Sequence, residues 1–451
     1  MKTQPNTMMD YSKSYDAPLS ITQGAAPGRL SFVGAGVRLG MASIFDQAVV
    51  SATNFATTLI IARLCTKADV GIYYLAWTLV LFIVAAQGNL ISVPYTIYCR
   101  RREGSSLASY SGSMLVHQLF TSALAMFCLL AMTIFFSLGY GPQAMRSVGW
   151  VLIGAAPFIL MREYSRRFLF AHLKLTAAVV MDVSVSCAQL ASLLLLGYYN
   201  LLTVPVVYTV MGGASVLALA IWLLTNRQPI CFQPHRFAID WRDNWKFGKW
   251  AFAGQLTGLA FYILPWLLTM THGEADTGMF AASNTLVGLA NLFVIGLCNF
   301  LTPKSAQAFA REGSEGLCRV LRKATIVFIT SLGLFCLIAA FLGNYLALIV
   351  YGAKYHGAGP IIAVLSMATL LDALGLTANN GLWAIDRPAA NFPADIAQLV
   401  VTLGMALWFV FPLGPLGIAI AMVLGRSAGA LLRWITLWGL MDTSRCQADV
   451  A

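Results

Sequence analysis

Charge is what this chain has least of. Only 10% of its 451 residues are Asp, Glu, Lys or Arg, against about a quarter in a soluble domain. A chain that is 59% hydrophobic with a mean hydropathy of +0.74 has too little polar surface to be a soluble globule, and reads as a polytopic membrane protein. The nine cysteines (65, 99, 128, 187, 231, 298, 318, 336, 446) stand singly, with no CxxC pair, so neither a disulfide framework nor a zinc site is indicated. The five histidines are dispersed without HExxH, and GxxxxGK[ST] and GxSxG are missing as well. No catalytic constellation is expected, ATP-driven pumping by this chain alone is disfavoured, and the chain is read as a non-enzyme with no cofactor.

The first 40 residues contain no apolar core of the kind a signal peptide needs, and read as a disordered cytoplasmic tail. Twelve apolar spans follow, at about 43–63, 70–98, 112–138, 147–170, 176–197, 203–224, 247–270, 278–302, 324–343, 360–380, 393–412 and 416–440. Each approaches the length of about 20 residues that crosses a hydrocarbon core of about 30 Å. The +11 net charge would point to nucleic acid in a soluble protein. Here it is explained by the loops after even-numbered spans, which collect most of the arginines and lysines, including Arg100, Arg101 and Arg102. Both termini are therefore expected in the cytoplasm, and no nucleic-acid partner is called for. Arg100–Arg102 read as an orientation signal and a contact for anionic membrane lipids.

The chain repeats itself. ADVGIYYLAWTLV (68–80) aligns with ADTGMFAASNTLV (275–287), matching Ala68/Ala275, Asp69/Asp276, Gly71/Gly278, Thr78/Thr285, Leu79/Leu286 and Val80/Val287. Both copies then meet a proline, Pro94 or Pro303, and an Arg-Glu-Gly exit. A duplication of that kind predicts two six-helix bundles, 41–225 and 247–440, related by an axis along the membrane normal, with a site between them near midplane. Residues 226–246, broken by Pro229 and Pro234 and carrying Trp241 and Trp245, read as an interfacial amphipathic linker, and 441–451 as a cytoplasmic tail.

Asp46-Gln47, Ser51, Asn54-Phe55, Ala62-Arg63, Gly71, Tyr73, Gln87 and Pro94 together resemble the first hairpin of bacterial polysaccharide-export proteins of the MOP superfamily, in the oligosaccharide-lipid flippase branch. Tyr351-Gly352 with Lys354-Tyr355, and Pro415-Leu416-Gly417-Ile418-Ala419, resemble later elements of that family. The resemblance implies an all-α MATE-like fold of two rocking bundles in the cell inner membrane. It also implies a lipid-linked glycan as cargo, and a polysaccharide polymerase or glycosyltransferases as partners. The second half departs from the pattern, with Ala253-Gly254-Gln255 where a second DQ pair would stand. The competing classes are a MATE-like antiporter of small cationic compounds and a membrane enzyme acting on the same lipids.

Ionisable groups within spans are functional candidates by default. Asp46 reads either as a carboxylate coupling transport to H⁺ or Na⁺, or as a helix N-terminal acid held by the macrodipole. Asp372 and Arg426 fall at matching depth in spans ten and twelve. They read either as a structural ion pair or as part of a site, with Asp372 a second ion-coupling candidate. Arg433, seven residues after Arg426, extends a cationic stripe suited to pyrophosphate oxygens, or else reaches for the interface. The amides of Asn54, Gln87, Asn89, Asn284 and Asn291 are able to hydrogen-bond sugar hydroxyls across a wet cleft, or simply to join neighbouring helices. Asp182 invites pairing with Arg166 or Arg167.

Overall fold

A computed structural model describes the backbone of residues 29–448 and the side chains of residues 43–441. The described residues form helices joined by short connections, with short 3₁₀ and π segments and no strand. The helices are α1 (Arg29–Leu64), α2 (Lys67–Gln87), α3 (Val93–Tyr98), α4 (Gly104–Ser137), α5 (Met145–Ala171), α6 (Leu175–Tyr198), α7 (Val204–Thr225), α8 (Pro234–Leu256), α9 (Ala260–His272), α10 (Glu274–Gly288), α11 (Ala290–Tyr351), α12 (Gly359–Ala384) and α13 (Phe392–Ala448).

Two of these are too long to be single spans. At about 1.5 Å per residue, the 62 residues of α11 and the 57 of α13 would each run far beyond a bilayer. Each bends at one glycine with left-handed backbone, Gly313 (φ 62°) and Gly414 (φ 52°), a conformation that glycine adopts without steric cost. α8 and α9 form one broken span bent by 42°. Nine helices among the described residues are long and apolar enough to cross a membrane, or ten with the bent pair. With α11 and α13 each counted twice, the total is the expected twelve.

Two expectations change here. α1 starts at Arg29, so residues 29–40 are helical rather than part of a tail; residues 1–28 lie outside the described residues. The linker does form an amphipathic helix, but α8 runs on from Pro234 into the seventh span without a break until Thr257. Its linker end is tied to the first half, with Ser109 Oγ donating to Gln233 Oε1 at 2.8 Å, Tyr110 Oη to Asn244 Oδ1 at 2.8 Å, and Arg102 paired with the buried Asp240 at 3.3 Å.

The repeated segments meet face to face. A Cβ on Gly71 would overlap the carbonyl oxygen of Glu274, and one on Gly278 would overlap that of Lys67. Lys67 and Glu274 are themselves equivalent in the repeat, so the contact is reciprocal, as a twofold axis demands. The N-terminus of α2 is closed by a capping box between Thr66 and Asp69; in α10 the equivalent place is taken by Gly273 (φ 85°).

Around this crossing the halves are stitched together. Arg63 donates to the carbonyls of Val350 (2.6 Å) and Ile349, Lys354 to that of Cys65 (2.9 Å), and Asn284 Nδ2 to Tyr74 Oη (3.0 Å). Trp266 Nε1 reaches Thr78 Oγ1 at 3.2 Å. Lys354 also reaches the Arg63 carbonyl at 3.4 Å, and these bonds between 43–225 and 260–441 lie on the side remote from Arg100–Arg102. The halves part toward the arginine-rich end.

Candidate functional site: a cleft between the halves

Three cavities line the parting. The first, about 380 Å³, lies between Ser43, Gln47, Arg166 and Arg167 of the first half and Leu292, Ile295 and Asn299 of the second. A second of about 200 Å³ sits deeper, between Asn54, Tyr73, Tyr74, Trp77, Phe261 and Asn284. A third of about 360 Å³ is walled by Asn89, Ser92, Thr96, Glu163, Arg167, Gln255 and Tyr262. Arg167 is common to the first and third, and Leu81 to the second and third. They are branches of one cleft.

Its ionic floor is balanced. Arg166 on α5 bonds Asp46 through Nε (3.1 Å) and Nη2 (2.6 Å), and Asp182 at 2.9 Å. Arg162 holds Asp182 at 2.9 Å, and Arg167 holds Glu163 at 2.7 Å. Three carboxylates and three guanidinium groups thus neutralise one another, with Asp46 and Asp182 fully buried. Breaking such a pair would leave an uncompensated charge in a low-dielectric interior.

The structure separates the residues singled out in the sequence. Asn54 and Asn284 come together in the deep branch, and Asn89 lines the third. Gln87 does not face the cleft: it is buried and donates from Nε2 to the Leu160 carbonyl at 3.0 Å. Asn291 is exposed and lines none of the three cavities. Asp46 is no helix N-terminal acid, because α1 began well before it; its stabilising partner is Arg166. Of the two arginines offered to Asp182, Arg166 takes it.

Asp372 and Arg426 do not pair, and neither has an ion-pair partner among the described residues. Arg426 lines a small cavity of about 100 Å³ beside the α8–α9 break, with Gln398 and Thr402. Arg433 does not extend a free cationic stripe. It is ion-paired with Asp395 at the start of α13 and lies 3.5 Å from Gln398 Oε1. Glu163 and Gln255 line the cleft unanticipated; Glu163 sits four residues before Arg167, the spacing at which helix side chains meet, and that was the available signal.

Between α2 and α3 the chain makes a π-helical segment, Gly88–Ser92. Pro94 has no N–H to return to the carbonyl of Leu90, and Gly248 of α8 is packed against the bulge, where a Cβ would lie 3.0 Å from the Asn89 oxygen.

The sequence matches no protein-family profile and no curated protein. Solved structures do match. The inward-facing conformation of a multidrug resistance MATE family transporter of the MOP superfamily superposes with a TM-score of 0.72 over 88% of this chain and 96% of its own, at 19% identity. The chain has the MOP transporter fold. The lipid II flippase MurJ, inward closed, gives 0.71 at 14% identity, covering 89% of this chain and 87% of MurJ. A MOP superfamily transporter from Pyrococcus furiosus Vc1, whose binding pocket has reversed polarity and for which a different function is suggested, gives 0.62 at 20% identity over 90% and 95%. At these identities the likeness establishes architecture.

Proposed function

We propose that the protein is an alternating-access transporter that flips a lipid-linked oligosaccharide, carried on a polyprenyl pyrophosphate, across a bacterial cytoplasmic membrane. The single observation that carries this over export of cationic compounds is the state of the cleft carboxylates. Glu163, which lines the third cavity, is held by Arg167, and Asp46 and Asp182, buried behind the walls, are held by Arg166 and Arg162, so the walls offer a cation no free counter-charge. What they do offer is neutral: amides, hydroxyls and aromatic rings. In this reading the arginine-rich end faces the cytoplasm, the head group enters there, and the polyprenyl tail stays in lipid between the halves.

Asp372, unlike Asp46, has no arginine on it, and is the better candidate for H⁺ or Na⁺ coupling. It is also the one feature favouring a cation antiporter. Reconstitution in liposomes separates the two. The flippase should move polyprenyl-pyrophosphate-linked glycan between leaflets and leave cationic dyes where they are. Dye efflux driven by an ion gradient, without glycan movement, would reject the proposal.

A further inference from the structure

The branch of the cleft at the π-helical segment combines ample volume with a polar wall whose hydrogen-bonding capacity is only partly used. Its volume of about 360 Å³ is in the range of small-molecule sites. Its charged residues, Glu163 and Arg167, are bonded to each other at 2.7 Å, which leaves the wall without net charge. Ser92, only 3% exposed, has an Oγ with no hydrogen-bond partner although it lines a cavity, and a buried hydroxyl is costly to leave unmet. Asn89, half-buried one turn before it, also has no side-chain bond among the described residues.

On the opposite wall Gln255 Nε2 donates to Tyr262 Oη at 2.8 Å. That bond leaves the amide oxygen of Gln255 free to accept and the Tyr262 hydroxyl free to donate. The Tyr262 ring is fixed edge-on against Phe82, centroids 5.4 Å apart. Mixed donors and acceptors, an aromatic surface and a cancelled charge do not suit a metal ion, a phosphate or a lipid chain. They suit an uncharged ring with several hydroxyls.

We infer that this branch is the sugar subsite of the cleft, an assignment that rests on the flippase function proposed above. Asn89, Ser92 and Gln255 bind hydroxyls of the glycan's first neutral residues, and Tyr262 lies against a ring face. The π-helical segment is what turns Asn89 and Ser92 into the cavity, and Gly248 permits α8 to hold it there.

The test uses the full-length chain in nanodiscs and two kinds of probe: geranylgeranyl pyrophosphate without sugar, and the same lipid bearing glucose, galactose, rhamnose or N-acetylglucosamine. Wild-type protein should bind at least one sugar-bearing probe about tenfold more tightly than the bare lipid, the worth of one or two good hydrogen bonds. In Asn89→Ala and Gln255→Leu, each checked for monodispersity, that ratio should fall to within about twofold of one; Asn291→Ala, outside the cavities, should keep it. Equal wild-type affinity for bare and sugar-bearing lipid would overturn the subsite and leave the flippase standing. So would a ratio that survives both cavity variants. Binding of neither probe would overturn the flippase proposal, and the subsite with it.

Discussion

Arg166 holds more carboxylates than any other side chain among the described residues, since Asp46, Glu163 and Asp182 all lie within ion-pair distance of it. Removing it strands the fully buried Asp46 and leaves Asp182 to Arg162 alone, whereas Asp46→Asn leaves Arg166 still satisfied by Asp182. Arg166→Leu is therefore expected to cost about 3–5 kcal/mol of stability and Asp46→Asn markedly less. Thermal melts of the purified protein check the order; equal losses would mean that the network does not share its charge in this way.

His172, just past the end of α5, shares a hydrogen bond with Tyr95 Oη, Nε2 to Oη 2.8 Å. Burial, with Lys174 and then Arg100 nearby, pushes its pKa below the usual 6.5. The folded protein then binds fewer protons than the unfolded chain, so the neutral imidazole contributes stability above about pH 6.5 that is lost as the pH falls through and below that value. The melting temperature should drop between pH 7.5 and 5.5, and the drop should shrink in His172→Gln. An identical pH profile in that variant would refute the role.

At the scale of elements, α2 and α10 cross with backbone on backbone. Neither Gly71 nor Gly278 has space for a side chain, and the crossing forms only if both stay bare. Overpacking of this kind costs about 1–3 kcal/mol, enough to disfavour the closed crossing by roughly five- to a hundredfold. Gly71→Val should hold the α2 and α10 ends apart, read as a longer spin-label distance across the crossing in electron-spin resonance. An unchanged distance distribution would show that the crossing tolerates a side chain. Gly313 and Gly414 work differently: their positive φ lets α11 and α13 bend, with open space around Gly313 and His272 packed against Gly414.

For the whole molecule, a closed crossing at one end and a parting at the other leave the cleft open at one face in this conformation, and the proposed transport requires the crossing to open in turn. Linking Lys67→Cys to Glu274→Cys across the crossing, in a chain with its native cysteines replaced, should fix this state. Glycan flipping should fall by about tenfold or more and return on reduction. Undiminished flipping in the cross-linked protein would exclude rocking of the two halves about the cleft.

Sequence alone determined the class, the number of crossings and the duplication. Those follow from hydropathy summed over some twenty residues and from identities at fixed offset, and neither depends on what touches what. Gly71 and Gly278 were visible only as matching places in the repeat; that they bring α2 and α10 together backbone on backbone was decided by the fold. The tertiary structure alone decided which polar groups share a cavity. Asn54, Asn89 and Asn284 face the cleft, while Gln87 turns inward and Asn291 outward. Asp372 and Arg426 stay apart despite equal depth, and Arg433 finds Asp395 instead. Depth along a span is readable from a helix's rise, but the direction in which a side chain points depends on rotation and tilt, set by packing against neighbours far away in the chain.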